Sequence, residues 1–147
     1  MMTKYFKVVI QVFLAIGVSV AHAGAYDELF VAVIRDDAAG LARLLRQGVD
    51  PNTRDPKGTP ALSLAVQRES AKAFDILLAQ PGIDVDASNA AGETALMLTA
   101  IAGDFEASQQ LVARGAKVHF PGWSPIHYAA SGPNTKLVRW LLERGAQ

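Results

Sequence analysis

His119 and His127 are the two histidines that follow residue 23, and imidazole is the side chain that titrates near neutral pH. A nucleophilic site would need a serine, a histidine and a carboxylate, and these do not recur at a spacing that suggests one, although such sets are defined by geometry. Asp84, Asp86 and Ser88 alternate oxygen ligands as the opening of a calcium loop does. The loop is not completed: its sixth position is Asn89 where glycine makes the sharp turn, and its twelfth is Ala95 where a bidentate glutamate is needed. Solvated acids at a hairpin tip account better for that run. Twelve glycines include no GxGxxG and no GxxxxGK followed by Ser or Thr, so backbone cradles for phosphate are not expected. The absence of cysteine removes thiol nucleophiles, thiolate zinc sites and haem attachment. Trp123 and Trp140 could stack a ligand, but Trp140 lies on a helix where packing is the ordinary role. The expectation is no catalytic residue, no cofactor and no metal.

The amino-terminal residues carry an address. Lys4 and Lys7 precede an apolar run of 13 residues from Val8 to Val20, followed by Ala21 and Ala23 around His22. That is the layout of a secretory signal peptide over residues 1–23, cleaved after Ala23. The run is short of the roughly 20 residues that span a bilayer as a helix, which argues against a permanent anchor. The expected location is periplasmic or secreted, with no membrane attachment after cleavage. Loss of Lys4 and Lys7 leaves 12 basic against 14 acidic side chains, a balance that gives nucleic acid no concentrated basic surface. An exported chain without disulfides must draw its stability from apolar burial.

What would position any site is a repeat. Three segments align, GTPALSLAV at 58–66, GETALMLTA at 92–100 and GWSPIHYAA at 122–130, each followed by a second pattern that closes on glycine at Gly82, Gly115 and Gly145. An earlier unit lacks the first segment and closes on Gly48. Gly48 to Gly58 and Gly82 to Gly92 are both 10 apart, Thr94 to Gly115 and Ser124 to Gly145 are both 21, and Leu62 to Leu96 is 34. Two registers kept at once indicate duplicated structural units.

These residues, and above all Ser124-Pro125-Ile126-His127-Tyr128-Ala129-Ala130, resemble the ankyrin-repeat family, whose G-x-T-P-L-H-x-A-A and L-L-x-x-G-A patterns are matched in pieces over Asp27 to Gln147. The resemblance implies an all-α solenoid of about four helix-turn-helix units with hairpin loops. The domain covers 24–147, with units at about 26–54, 55–88, 89–119 and 120–147. It also implies that His127 braces the turn before its helix by a local hydrogen bond.

The residues support that architecture on their own. Leu41, Leu44 and Leu45, then Phe74, Leu77 and Leu78, then Val138, Leu141 and Leu142 keep i, i+3, i+4 spacing, which puts one apolar stripe on each second helix. First helices rich in alanine permit close approach, and Gly48, Gly115 and Gly145 suit the left-handed end of a helix. Pro60 is expected in the first turn of its helix. A lone pair cannot bury its stripe, so the units must stack. Departures stand at Glu69 in place of glycine, at the inserted Pro81, at Ser108 where an apolar residue is due, and at Pro133 in place of glycine. The last hairpin is three residues short, which suggests a tighter loop bringing Phe120 near Trp123. With no polar closing helix after Gly145, the natural chain is expected to continue past Gln147 or to self-associate there, and to be a monomer otherwise.

In an ankyrin-like stack the first helices and hairpin tips form a concave recognition face. Matching the motif places Ile34, Arg35, Gln67, Arg68, Ile101, Ala102, Ser131 and Gly132 on the helices and Pro56, Lys57, Thr59, Glu93 and Trp123 at the tips. Aromatic and arginine side chains dominate interface energies, so Arg35, Arg68, Phe120 and Trp123 are the expected anchors, with Lys57 and Glu93 as rim charges and Gln67 and Ile101 between them. The function expected is a non-catalytic scaffold for an unidentified protein partner, similar to small exported ankyrin proteins of Gram-negative bacteria. An inhibitor of an exported toxin or hydrolase is the alternative within binding. An enzyme or metal protein built on His119 and nearby carboxylates is the alternative from another class.

Overall fold

The computed structural model describes residues 24–147; the expected signal peptide, residues 1–23, lies outside them. The described chain forms four helix pairs: α1 (24–34) with α2 (Ala38–Arg46), α3 (Ala61–Gln67) with α4 (Ala71–Leu78), α5 (Ala95–Ala102) with α6 (Phe105–Ala113), and α7 (Pro125–Ser131) with α8 (Thr135–Leu142). The first helices of successive pairs pack in series, α3 on α5 and α5 on α7, and each packs on its own second helix. No helix among the described residues is long and apolar enough to cross a membrane. Extended pairing among the described residues is confined to two isolated bridges, Arg54 with Pro60 and Ser88 with Thr94, which pinch the bases of two hairpins.

Small side chains make the inner row possible. Ala65, Ala100 and Ala129 are all buried where one inner helix meets the next. The outer helices supply the bulk: Leu41 and Leu44, Phe74, Leu77 and Leu78, Leu111, then Leu137 and Leu141 are buried, each such side chain stabilising by about 1.5–3 kcal/mol. The last stripe differs from the sequence expectation. Leu137 and Leu141 form the buried seam, Val138 is half-buried and Leu142 faces outward, because an i, i+4 pair is enough where α7 is the helix underneath.

Helix ends follow local chemistry. Asp37, Asp104 and Asn134 cap α2, α6 and α8, accepting bonds from the amides of Gly40, Ala107 and Lys136, which satisfies donors that the first turn leaves unpaired. Gly48, Gly115 and Gly145 take the expected left-handed conformation. At the turn within two other pairs the left-handed Gly103 is matched by Asp36 and Glu69, with φ of 53° and 55°; the short polar side chain of Asp36 suits that geometry, whereas Glu69 holds it without such an advantage. Pro60 is the N-cap of α3, one residue earlier than expected, with extended ψ of 145°. Its carbonyl accepts from the Leu64 amide while Ala61 donates to Thr53 across the hairpin base.

Ser108 shows how a polar residue is accommodated on a stripe. It is fully buried, and its hydroxyl lies 2.9 Å from Thr99 Oγ1 on α5 and 2.7 Å from the Asp104 carbonyl oxygen. A hydroxyl pair thus replaces the apolar contact made elsewhere between inner and outer helix, consistent with the need of buried polar groups for partners. Ser63 in α3 is equally buried, and its hydroxyl has no partner among the described residues.

Candidate interaction surface

The tips are rigid by design of their side chains. Asp55 Oδ1 accepts from the amides of Lys57 and Thr59 at 2.9 and 2.8 Å, and Asn89 Oδ1 accepts from Ala91 and Glu93, both at 2.9 Å. Asp55 and Asn89 each stand three residues before a left-handed glycine, Gly58 and Gly92, so one short carboxyl or amide latches the turn. The run Asp84, Asp86 and Ser88 belongs to this framework. The Asp84 amide donates to Asn52 Oδ1 at 2.8 Å, and Asp86 Oδ1 accepts from the Lys117 amide at 3.0 Å.

Side chains also tie each hairpin to the next. Arg54 donates to the Gly58 carbonyl at 3.0 Å and to that of Ser88. Asn52 Nδ2 donates to Gly82 O at 2.8 Å, and Arg114 to Gln80 O at 2.8 Å. On the opposite edge the Ala73 amide donates to Asp36 Oδ1 at 2.8 Å and Asn134 Nδ2 to Gly103 O at 3.1 Å.

In the last hairpin His119 occupies the latch position three residues before Gly122. Its Nδ1 lies 3.2 Å from the Gln147 main-chain oxygen, so it makes no turn of the Asp55 kind, and the shortened loop contains bends without a bridge. The expectation of Phe120 beside Trp123 is replaced by another cluster: Trp123 stands 5.5 Å from the His127 ring and 6.0 Å from Tyr128, the latter edge-on, while Phe120 is half-buried. His127 does brace the turn, its Nδ1 accepting from the Ser124 amide at 3.2 Å, and Ser124 Oγ donates to the Gln147 main-chain oxygen at 2.8 Å. Trp140 packs edge-on against Phe105 at 5.5 Å with the Arg144 guanidinium 3.9 Å over its ring, a packing role.

The eight residues singled out from sequence divide in two. Arg35, Lys57, Gln67, Arg68, Ile101 and Trp123 are exposed, with Trp123 at 68%. Glu93 and Phe120 are half-buried. Glu93 is spent partly on the loop, accepting from Asn89 Nδ2 at 2.8 Å. It also faces Tyr128 of the next pair, whose phenol is pushed above its ordinary value by burial first and then by the Glu93 charge. Arg68 is the C-cap of α3, and Lys57 lies at the tip before the same helix, so the two cations are separated by a helix of about 10 Å. Val31 and Ile34, at 46% and 47%, and Ile101, at 45%, add apolar area to the inner helices' outward side. Sequence reasoning missed Val31 and the latches Asp55 and Asn89. The 34-residue recurrence of Asp55 as Asn89 ahead of Gly58 and Gly92 was the signal available for the latches.

No three His, Cys, Asp or Glu side chains gather into a metal-holding group among the described residues, and no acid or serine pairs with His119. What this surface offers is shape and exposed side chains on a latched frame.

Comparison with known proteins agrees with the architecture. The family model described as ankyrin repeats (3 copies) matches residues 29–121 and 77–147. The chain belongs to the ankyrin-repeat family, a repeat fold that generally mediates protein–protein interaction and is generally non-enzymatic. It is 30% identical over 122 residues to the human transient receptor potential cation channel subfamily A member 1, covering 81% of this chain and 11% of that protein. It is 34% identical over 115 residues to neurogenic locus notch homolog protein 1 of Cricetulus griseus and of Mus musculus, covering 76% of this chain and 4% of theirs. The chain therefore spans a small fraction of the length of these curated relatives.

Proposed function

We propose that the chain is a non-catalytic scaffold that acts in the bacterial cell envelope and holds a protein partner on its inner helices and hairpin tips. The observation that carries this reading is the division of labour on that side. Arg35, Lys57, Gln67, Arg68, Ile101 and Trp123 are exposed above alanines that already complete the inner-row packing, so they are free of any duty to the fold. An indole exposed to 68%, taken together with exposed aliphatic side chains and arginines, has the composition from which binding hot spots are made. Glu93 and Phe120, half-buried, contribute at the edge. The basic start, short apolar run and small-residue end of residues 1–23 support export to the periplasm or beyond.

Two measurements test the reading. Fractionation of cells that express the full chain should find it in the envelope or medium, shortened by 23 residues; full-length protein in the cytoplasm overturns the location. Trp123→Ala with Arg68→Ala should retain the native helical signal and lose the proteins captured by the unaltered chain. Unchanged capture would remove this face from the function.

A further inference from the structure

A groove of about 420 Å³ opens between the second and third helix pairs, at the end of the molecule away from the hairpin tips. Ala65, Val66, Phe74, Thr99 and Ala102 lie along it, and Ala71 and Ala107 mark where α4 and α6 stand apart. It exists because Ala71, Ala102 and Ala107 are small. At the next junction the corresponding space is closed: a Cβ on Gly103 would come within 2.7 Å of Pro133, one on Gly132 within 2.8 Å of the Ala100 and Ile101 carbonyl oxygens, and Phe105 meets Trp140. The volume lies within the roughly 300–1,000 Å³ of ordinary ligand pockets.

The charged side chains on the groove are Glu69, Asp75, Asp104 and Glu106, with no lysine or arginine among its lining. None of the four forms an ion pair among the described residues, where the one bridge joins Arg43 to Glu28. A second observation is independent of charge. Ser70, 2% exposed, lines the groove at the N-cap of α4. Unlike Asp37, Asp104 and Asn134 at the same place in the other pairs, it makes no side-chain capping bond. Its hydroxyl makes no side-chain hydrogen bond among the described residues and, unlike that of Ser63, is not sealed off, so it is left to accept from whatever enters the groove.

We propose that this groove receives an arginine or lysine side chain from a basic segment of a partner polypeptide. The aliphatic stem lies over Phe74 and the flanking alanines, as long basic side chains do on apolar surface. The cationic head reaches Ser70 Oγ and the carboxylates of Asp75 and Glu106, where charge-assisted bonds are stronger than neutral ones. The surface is separate from the tips that carry Lys57 and Trp123, so it can be occupied while they are.

The test is a titration of the isotopically labelled full chain with a short Gly-Ser peptide carrying two arginines, followed by amide chemical shifts, with the same peptide carrying two glutamates and with spermine as the other probes. The arginine peptide is expected to move amides in 69–75 and 102–110, and Asp75→Asn with Glu106→Gln should weaken it at least tenfold. Both replacements sit on exposed outer-helix surface, so the fold persists, and an unchanged denaturation midpoint verifies this. Shifts confined to the hairpin tips, equal binding by the glutamate peptide, loss of less than twofold in the double variant, or no binding at millimolar peptide would each overturn the proposal. Spermine binding as tightly with the same shifts would also overturn it, replacing a polypeptide by a free polycation.

Discussion

The junction between the second and third helix pairs and the junction between the third and fourth are made from the same repeat, yet one is open and the other closed. At the open junction Ala71, Ala102 and Ala107 leave the outer helices apart, and Ser70 does not cap. At the closed one Gly132 lies against the carbonyls that end α5, Pro133 lies against Gly103, and Trp140 covers Phe105. The inner row sets the stack, and the outer row is negotiable. α5 packs on both α3 and α7, more extensively on α7, so an alanine-rich spine carries the register past a junction where α4 and α6 stand apart.

The closed junction is most vulnerable at Gly132. Gly132→Ala puts a methyl 2.8 Å from two main-chain oxygens that cannot swing away, and overpacking of this kind costs about 1–3 kcal/mol. A fall of about 2 kcal/mol in urea-unfolding free energy is expected, and a change below about 0.5 kcal/mol would mean that the closed junction is not close-packed.

The two buried serines sharpen the contrast at the level of single hydroxyls. Ser108→Ala removes a bonded group beside the open groove and should cost about 1 kcal/mol. Ser63→Ala removes a group without a partner among the described residues and should leave stability unchanged or raise it. Equal losses at both positions would show that Ser63 has a partner in solution. Adding Thr99→Val to Ser108→Ala should recover part of the loss, because removing both members of a buried pair costs less than orphaning one.

The smallest effect is expected at the groove itself. Ala107→Met lengthens a side chain into open space over Phe74, with a flexible residue suited to irregular gaps. The unfolding free energy should stay within about 0.5 kcal/mol of the original, and the arginine peptide should be excluded. A loss as large as that of Gly132→Ala would mean that the two junctions are equally tight.

Much of this molecule was legible in its residues, because its elements are duplicated. The recurrence of Gly48, Gly82, Gly115 and Gly145 and of the aligned inner segments located the helix pairs, and apolar spacing identified the outer stripes. The last stripe was misread by one position: Val138, Leu141 and Leu142 satisfy the i, i+3, i+4 rule as well as the true seam of Leu137 and Leu141 does, and only contact with α7 decides between them. Exposure of Arg35, Arg68, Ile101 and Trp123 followed from the motif, whereas the half-burial of Glu93 and Phe120 depended on Asn89, Tyr128 and a shortened loop. The groove left no local mark in the sequence. It is an absence of bulk shared by α4 and α6, which are apart in the chain and meet only in the stack.

The side-chain ties between hairpins have a mechanical meaning. The side chains of Arg54, Asn52, Arg114 and Asp86 each reach a main-chain group about one period away and no farther. A load or a protease at one terminus is therefore resisted by one junction at a time, and the molecule yields like links parting in order. Amide exchange should slow from either extremity toward α3 and α5, the span where couplings exist on both sides.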